Sequence, residues 1–172
     1  MGDRRAAAGR ALGFAMAMAV LIVDQISKWA ITGPLALPSR DALVLLPIFR
    51  LVWVRNYGVS MGFLVTDGDI GRWLLVGFTA AIAIGVASWL WRERKRMDAL
   101  ALGAILGGAI GNIADRVRLG YVADFLNLHF GAWSPFLVFN VADAAISIGV
   151  ALLVIRAFLP RDARPLAEKS HV

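Results

Sequence analysis

The stretch ALGAILGGAIGNIADRV, residues 101–117, is apolar enough to cross a membrane, yet it ends in Asn112, Asp115 and Arg116. The same Asn-x-x-Asp spacing returns at Asn140–Asp143, within the apolar stretch FNVADAAISIG. A carboxylate inside a bilayer is unfavourable by roughly 2.5–3.5 kcal/mol on insertion scales, so those that are retained there mark function. Residues three apart share a helix face, and each asparagine amide can therefore serve a group held by its neighbouring aspartate.

The composition fits a small polytopic membrane protein. The chain has 172 residues, of which 59% are hydrophobic, whereas soluble domains are about half apolar. It has no cysteine, which excludes disulfides and thiol chemistry, and its two histidines form no ligand cluster in the sequence. We therefore expect neither a metal nor a cofactor.

The basic residues lie beside the apolar stretches, although the net charge of +6 could by itself suggest nucleic-acid binding. They precede the first stretch, form RERKR at 92–96 between the second and the third, and follow the fourth. This distribution is the positive-inside pattern of membrane proteins. It predicts that both termini are cytoplasmic and that nucleic acid is not a partner.

Four apolar stretches each approach the roughly 20 residues that a membrane span requires. The predicted spans cover about 11–32, 70–91, 98–117 and 136–158. We expect a single integral-membrane domain over 1–160 and a polar cytoplasmic tail over 161–172. The first span is similar to a secretory signal peptide, but Asp24 and Lys28 indicate an uncleaved helix in which the two side chains can pair.

The two connections on the outer side have a different character from the spans. Residues 33–69 contain three prolines and then IFRLVWV, 48–54, whose β-branched and aromatic residues predict a strand. Residues 118–135 mix aromatic and polar side chains, which predicts a short amphipathic helix at the membrane surface. The expected fold class is an all-α membrane protein of four transmembrane helices, with a small extracytoplasmic β-structured cap and a short interfacial helix.

The predicted orientation brings the polar residues of the spans into one outer layer. Spans one and three run outward and span four runs inward, so Asp24, Asp115 and Asp143 all approach the outer surface. Asp124 follows span three on the same side. Two carboxylates around one water can hydrolyse an amide, because the ionised one accepts the proton of water while the protonated one polarises the carbonyl. The layer therefore suits peptide hydrolysis near the outer leaflet.

Three other roles stay open from the residues alone. Intramembrane carboxylates also occur in proton relays, although the inner half of these spans holds only Asp98 and Arg156. A serine–lysine protease would need Ser60 beside Lys28 and would leave the carboxylates unexplained. Finally, the polar residues could merely join helices by hydrogen bonds, and the pair of Asp24 and Lys28 could only anchor a helix end at the interface.

Four segments, in order, resemble the lipoprotein signal peptidase family, the bacterial signal peptidase II enzymes. They are VDQISKW (23–29), VRNYGVSMGF (54–63), GNIADRVRLGYVADF (111–125) and FNVADAAI (139–146). The resemblance implies an aspartic endopeptidase of the bacterial inner membrane. Its expected substrate is a diacylglyceryl-modified prolipoprotein, cut on the N-terminal side of the lipidated cysteine. We expect a monomer that contacts membrane lipids and has its active site near the outer leaflet.

By motif position, the resemblance assigns the catalytic pair to Asp124 and Asp143. Spacing alone does not choose Asp124 over Asp115, but the neighbouring Arg116 favours an ionised, structural Asp115. Supporting roles in substrate binding or positioning are expected for eight further motif residues. These are Asp24, Lys28, Asn56, Gly58, Asn112, Asp115, Arg116 and Asn140.

Overall fold

The structure is a computed structural model that describes residues 2–58, 69–131 and 133–158. Within these ranges the chain forms four long helices and a three-stranded antiparallel sheet, and all four helices could cross a membrane. The helices are α1 (Gly2–Thr32), α2 (Asp69–Arg92), α3 (Arg96–Leu119) and α4 (Val141–Phe158), and the strands are β1 (Leu43–Leu46), β2 (Phe49–Asn56) and β3 (Val122–Leu128). Ser60, the end of the second motif and the predicted tail lie outside the described ranges.

α3 is the central helix of the bundle, and the other three helices pack against it. Ala99, Leu102 and Leu106 of α3 are buried in an apolar core with residues of α1 and α2. Large apolar side chains such as Phe78 and Ile155 face outward, as expected for helices that contact lipid. Because lipid tails are as apolar as leucine, association of such helices depends on close packing of small residues. The helix contacts accordingly contain Gly13, Ala17, Gly103, Gly107, Gly108 and Gly149.

The sheet lies where α1 and α3 end and α4 begins, which we call the sheet end of the bundle. Its strand order is β1-β2-β3, and both neighbouring pairs are antiparallel. A second apolar core joins sheet and helices, because Ile31 of α1 and Leu37 pack with Leu51 of β2 and Phe125 of β3. The strand predicted over 48–54 is therefore confirmed as β2, and with it the small β-structured cap.

The interfacial helix predicted within 118–135 is wrong, since this segment contains β3, which pairs with β2. The first four residues of β3 are all buried. Burial on both faces of a strand removes the alternation of apolar and polar residues by which a half-buried strand is identified. Without that alternation, the mixture of aromatic and polar residues in this segment favoured the incorrect prediction of an amphipathic helix.

α4 begins at Val141 rather than near residue 136, because Asn140 and Asp143 form a capping box. The Asp143 N–H donates to Asn140 Oδ1 at 2.9 Å, and the Asn140 N–H donates to Asp143 Oδ2 at 3.2 Å. These reciprocal bonds satisfy amides that a helix N-terminus otherwise leaves unpaired. The preceding residue, Phe139, forms a bridge with Leu126 of β3. The start of α4 is thus tied to the sheet.

Candidate active site

Asp124 and Asp143 meet at the sheet end from different elements. Asp124 lies on β3 and is 1% exposed, whereas Asp143 lies in the first turn of α4 and is half-buried. Asn140 joins the two, because its Nδ2 donates to Asp124 Oδ1 at 2.7 Å and its N–H donates to Asp143 Oδ2. The structure therefore brings together the two aspartates that the resemblance had paired.

Three asparagine side chains donate to the two carboxylates. Asn56 Nδ2 donates to Asp124 Oδ2 at 2.9 Å, and Asn112 Nδ2 donates to Asp143 Oδ1 at 2.8 Å. Asn140 Nδ2 also reaches Asn112 Oδ1 at 3.2 Å. Each carboxylate therefore accepts two hydrogen bonds, and the amides join both carboxylates into one network.

The expectation that each asparagine serves a group held by its own aspartate is wrong for Asn112. Its amide donates to Asp143 on α4, while Asp115 binds Lys28 on α1. The two residues are neighbours on α3, but Asn112 is directed toward α4 and Asp115 toward α1. Because α3 lies between α1 and α4, its residues can contact different helices. Sequence spacing alone does not show which helix each residue contacts.

Gly58 orients Asn56. It has a φ of +125°, which favours glycine, and its N–H donates to Asn56 Oδ1 at 3.0 Å. With its oxygen accepting from the backbone, the Asn56 amide directs its NH₂ group toward Asp124. Asn56 pairs with Val122 across the sheet, so Asp124, two residues further along β3, lies on the same face.

Burial raises the pKa of Asp124 from 3.8 to about 6. The hydrogen bond from Asn56 lowers this pKa, the charge of Asp143 raises it, and the bond from Asn140 and the charge of Lys28 lower it further. Loss of hydration is the largest of these effects because it disfavours the charged carboxylate. Asp124 can therefore exchange a proton near neutral pH, as general acid–base catalysis requires.

A second set of charges lies beside this pair. Lys28 Nζ lies 2.8 Å from Asp24 Oδ2 and 2.8 Å from Asp115 Oδ2. Gln25, which sequence reasoning missed, donates to the same two carboxylates at 3.1 and 3.2 Å. The predicted pair of Asp24 and Lys28 is confirmed. Lys28 is only 6% exposed, whereas a simple helix anchor at the interface extends its ammonium into water.

Two backbone N–H groups were also missed, those of Ala142 and Ala123. The Ala142 N–H donates to Asp24 Oδ1 at 3.0 Å, and the Ala123 N–H donates to Asp115 Oδ2 at 3.1 Å. Each alanine is the centre of a Val-Ala-Asp tripeptide, and this repeat is visible in the sequence. The sequence does not show that the two alanine N–H groups are bound, because the carboxylates that accept them are on α1 and α3.

Arg116 is a further charged group beside the aspartate pair. Its guanidinium interacts electrostatically with Asp143, Asp124 and Asp115. Its buried Nε has no hydrogen-bond partner among the described residues. A buried donor without a partner is unfavourable, and a peptide carbonyl oxygen bound there would satisfy it.

The half-buried Asp143 lines a groove of about 540 Å³. Apart from Asp143, the groove is almost entirely apolar, with residues from β3, the segment before α4 and α4 itself: Leu128, Pro135, Phe136, Leu137, Phe139, Ala144, Ser147 and Ile148. Within the described ranges, no group of three or more histidine, aspartate or glutamate side chains could hold a metal ion. Asp143 thus lies between the hydrogen-bond network of the pair and an apolar groove.

The fold and this site define a multi-pass membrane protein with a cluster of four carboxylates, those of Asp24, Asp115, Asp124 and Asp143, at the sheet end of a four-helix bundle. The sequence matches the family model for signal peptidase (SPase) II over residues 16–159. The chain therefore belongs to the signal peptidase II family, the lipoprotein signal peptidases, which are bacterial membrane proteases of lipoprotein processing. This membership confirms the resemblance drawn from the four motifs.

Relatives and solved structures agree with this assignment. The lipoprotein signal peptidase of Rhizorhabdus wittichii is 62% identical over 159 residues, which cover 92% of each chain. That of Sphingopyxis alaskensis is 48% identical over 86% of this chain and 85% of its own. A solved bacterial membrane enzyme is similar in fold, with a TM-score of 0.73 and 25% identity, over 87% of this chain and 94% of its own.

Proposed function

We propose that this protein is an aspartic endopeptidase that removes the signal peptide from diacylglyceryl-modified prolipoproteins, with the cut on the N-terminal side of the lipidated cysteine. The observation that carries the proposal is the bridge by which Asn140 holds Asp124 and Asp143 in one network. Two carboxylates joined in this way can act on one water and one peptide bond. Family membership supplies the substrate class.

The environments of the two aspartates favour different roles. Asp143 accepts hydrogen bonds from Asn112 and from the N–H of Asn140, the residue before α4. It lies in the first turn of α4, where the helix dipole stabilises negative charge, so it suits the base that accepts the proton of water. Asp124, whose pKa burial raises to about 6, suits the acid that polarises the carbonyl and then protonates the leaving amine. Arg116 Nε is a donor for a substrate carbonyl oxygen.

The groove beside Asp143 supports lateral binding of substrate from the bilayer. Its walls are apolar, so a signal peptide or an acyl chain could remain in a lipid-like environment while the scissile bond reaches the pair. A site shielded from bulk water also strengthens the electrostatic interactions that catalysis uses. We place the sheet end at the outer leaflet and both termini in the cytoplasm, and we propose that the single domain over 1–160 acts as a monomer.

The alternative functions receive less support from the described contacts. In a serine–lysine protease the lysine serves as a base, but the Lys28 ammonium is bonded to two carboxylates. In a proton relay, ionisable groups continue through the membrane, but Asp98 and Arg156 form an ion pair with each other at the opposite end of the bundle. A pure scaffold would not require a carboxyl with a pKa near neutrality.

The test is cleavage of a synthetic diacylated prolipoprotein by the purified protein. Asp124→Asn and Asp143→Asn should each abolish cleavage, because an amide can neither accept the proton of water nor return it. The double mutant should be no worse than either single mutant, since the two groups act as a unit. The pH–rate profile should be bell-shaped, with apparent pKa values that belong to the pair.

Asp115→Asn is the matched control, because it makes the same chemical change in a buried carboxylate that binds Lys28. It should lower cleavage only in part. If Asp115→Asn abolished cleavage in a folded protein while Asp124→Asn retained it, the pair would have to be reassigned. Cleavage that continued with both Asp124 and Asp143 replaced would reject the aspartic mechanism.

A further inference from the structure

We infer that Lys28 is a positioning residue whose single ammonium sets the relative placement of the two aspartates of the pair. It does so through two equivalent series of bonds, which we call arms. The inference rests on the proposed function of Asp124 and Asp143. In each arm, the Lys28 ammonium binds a carboxylate outside the pair. That carboxylate accepts a hydrogen bond from the backbone N–H of the residue directly before one aspartate of the pair.

The first arm runs to α4. Lys28 Nζ binds Asp24 Oδ2 at 2.8 Å, and Asp24 Oδ1 accepts the N–H of Ala142 at 3.0 Å. Asp24 thus uses one oxygen for the lysine and the other for the backbone. Since Ala142 directly precedes Asp143, the position of the Asp24 carboxylate determines where the first turn of α4 presents Asp143.

The second arm runs to β3. Lys28 Nζ lies 2.8 Å from Asp115 Oδ2, and the same oxygen accepts the N–H of Ala123 at 3.1 Å. Ala123 directly precedes Asp124. The two arms therefore end at equivalent positions of the two Val-Ala-Asp tripeptides, and Lys28 is the group that they share.

Burial makes this arrangement restrictive. The side chains of Lys28, Asp24 and Asp115 are 7%, 0% and 3% exposed. Water therefore cannot solvate these charges in place of the partners that they bind. If the ammonium were absent, two buried carboxylates this close would repel, and either their separation or the protonation of one of them would change the bonds that they make. Because both carboxylates also hold backbone, their separation would move Ala142 and Ala123 apart.

A buried ion pair is by itself weak evidence for stability, because the loss of hydration can exceed the attraction between the charges. Here the charges make directional bonds to backbone on two other elements, which an apolar cluster could not provide. Gln25 bridges the same carboxylates, and Arg118 donates to Gln25 at 3.1 Å. The cluster is therefore built to fix geometry.

The absence of native cysteine makes the charge of Lys28 testable with nearly constant shape. In Lys28→Cys, alkylation with 2-bromoethylamine forms a lysine analogue in which sulfur replaces one methylene. Alkylation with 1-iodopropane gives a neutral side chain of the same length. Alkylation during denaturation, followed by refolding, makes the buried position accessible. Wild-type protein treated with each reagent controls for side reactions.

The aminoethylated protein should regain most of the wild-type kcat. The propylated protein should lose at least about tenfold in kcat with little change in KM, because positioning acts on the bound substrate. Asp124 interacts electrostatically with Lys28, Arg116 and Asp143. Removal of one of the two cations should therefore also move the pH–rate profile to higher pH. Equal kcat and equal pH profiles in the two alkylated proteins would overturn the inference.

Two further comparisons keep the result decisive if the propylated protein does not refold. Asp24→Asn and Asp115→Asn each leave Lys28 one carboxylate, and each should lower kcat while KM stays nearly constant. Unchanged kcat in both would also overturn the inference. Asp124→Asn in the same assay separates the hypotheses, because its activity tests the proposed function whereas the lysine analogues test only the positioning role.

Arg156→Met provides the structural control. Arg156 and Asp98 also join two helices by a partly buried ion pair, but at the opposite end of the bundle. This variant should lower thermal stability and leave kcat and the pH profile unchanged. A loss of kcat as large as that of the propylated protein would show that any broken interhelical ion pair impairs cleavage, which contradicts a specific role for Lys28.

Discussion

At the scale of single residues, Asn140 has two separable tasks. Its Oδ1 caps α4 by accepting the N–H of Asp143, while its Nδ2 donates to Asp124 and Asn112. Asparagine is the residue type that can perform both tasks, because its amide carries an acceptor and two donors. An aspartate would cap the helix equally well, but it would place a third negative charge against the pair.

Substitutions at Asn140 should separate these tasks. Asn140→Ser keeps a good cap but offers a shorter side chain that no longer reaches Asp124, so stability should change little while cleavage falls strongly. Asn140→Ala loses the cap as well and should unfold more easily by roughly 1–2 kcal/mol. Thermal unfolding and cleavage of the lipopeptide measure the two effects. Wild-type cleavage by Asn140→Ser would show that the bridge to Asp124 has no part in the reaction.

The raised pKa of Asp124 has a consequence for stability. Between its ordinary pKa of 3.8 and its folded pKa of about 6, the folded protein binds a proton that the unfolded chain has released. The stability contribution of Asp124 is therefore present at low pH and is lost as the pH rises through about 6. At neutral pH the raised pKa of Asp124 therefore disfavours the folded state.

Comparison of Asp124→Asn with wild type at several pH values tests this sign. Asparagine does not titrate, so the stability of the variant relative to wild type should increase from low to high pH. A shift of about two pKa units corresponds to an increase of about 3 kcal/mol at most. Any constant effect of altered hydrogen bonding cancels in this comparison of pH dependence. A difference that stayed constant, or that changed in the opposite direction, would contradict the raised pKa.

At the scale of elements, the helices were largely predictable and part of the sheet was not. Long apolar runs bounded by basic residues predict α2 and α3 to within two residues at each end, whereas α1 begins nine residues before the predicted span and α4 five residues after it. β2 is visible as an aromatic and β-branched run, whereas β3 has the buried Asp124 and Asn127 among apolar residues and shows no alternation. The start of α4 was misplaced because the capping box lies within an apolar run. Contacts such as that of Lys28 with Asp115 join residues remote in sequence, and local patterns carry no information on them.

The contact between α1 and α3 near the site gives a prediction for a single methyl group. A Cβ at Gly111 would lie 2.6 Å from Asp24 Oδ2, so Gly111→Ala should displace the carboxylate that holds Ala142. We expect destabilisation of about 1–3 kcal/mol, typical of overpacking, together with reduced cleavage. Thermal unfolding in detergent and the lipopeptide assay measure both.

Gly77→Ala is the matched control for this change. Gly77 also lies in a helix, α2, but a Cβ there would meet no atom within 4 Å. Alanine favours the helix over glycine by about 1 kcal/mol, so this variant should be neutral or slightly more stable, with wild-type cleavage. Equal behaviour of the two variants would mean that α1 and α3 can separate at Gly111 without effect on the site.

At the scale of the whole molecule, the two ends of the bundle differ in charge and in structure. The sheet end holds the aspartate pair and the Lys28 cluster, while the opposite end holds the pair of Arg156 and Asp98 and the basic connection between α2 and α3. Positive charge is retained on the cytoplasmic side of a membrane. This asymmetry supports placement of the sheet end at the outer surface, where a lipid-modified substrate would meet the pair.

Single cysteines test this orientation directly, because the chain has none of its own. Ser39 and Ser134 are exposed at the sheet end, and Lys95 is exposed between α2 and α3. In intact cells, Ser39→Cys and Ser134→Cys should react with a membrane-impermeant thiol reagent, while Lys95→Cys should react only after the membrane is permeabilised. Reaction of the permeabilised samples at all three positions controls for accessibility. The reverse pattern in intact cells would place the aspartate pair at the cytoplasmic face. The proposal of cleavage at the outer leaflet would then be rejected, whereas the identity of the catalytic pair would be unaffected.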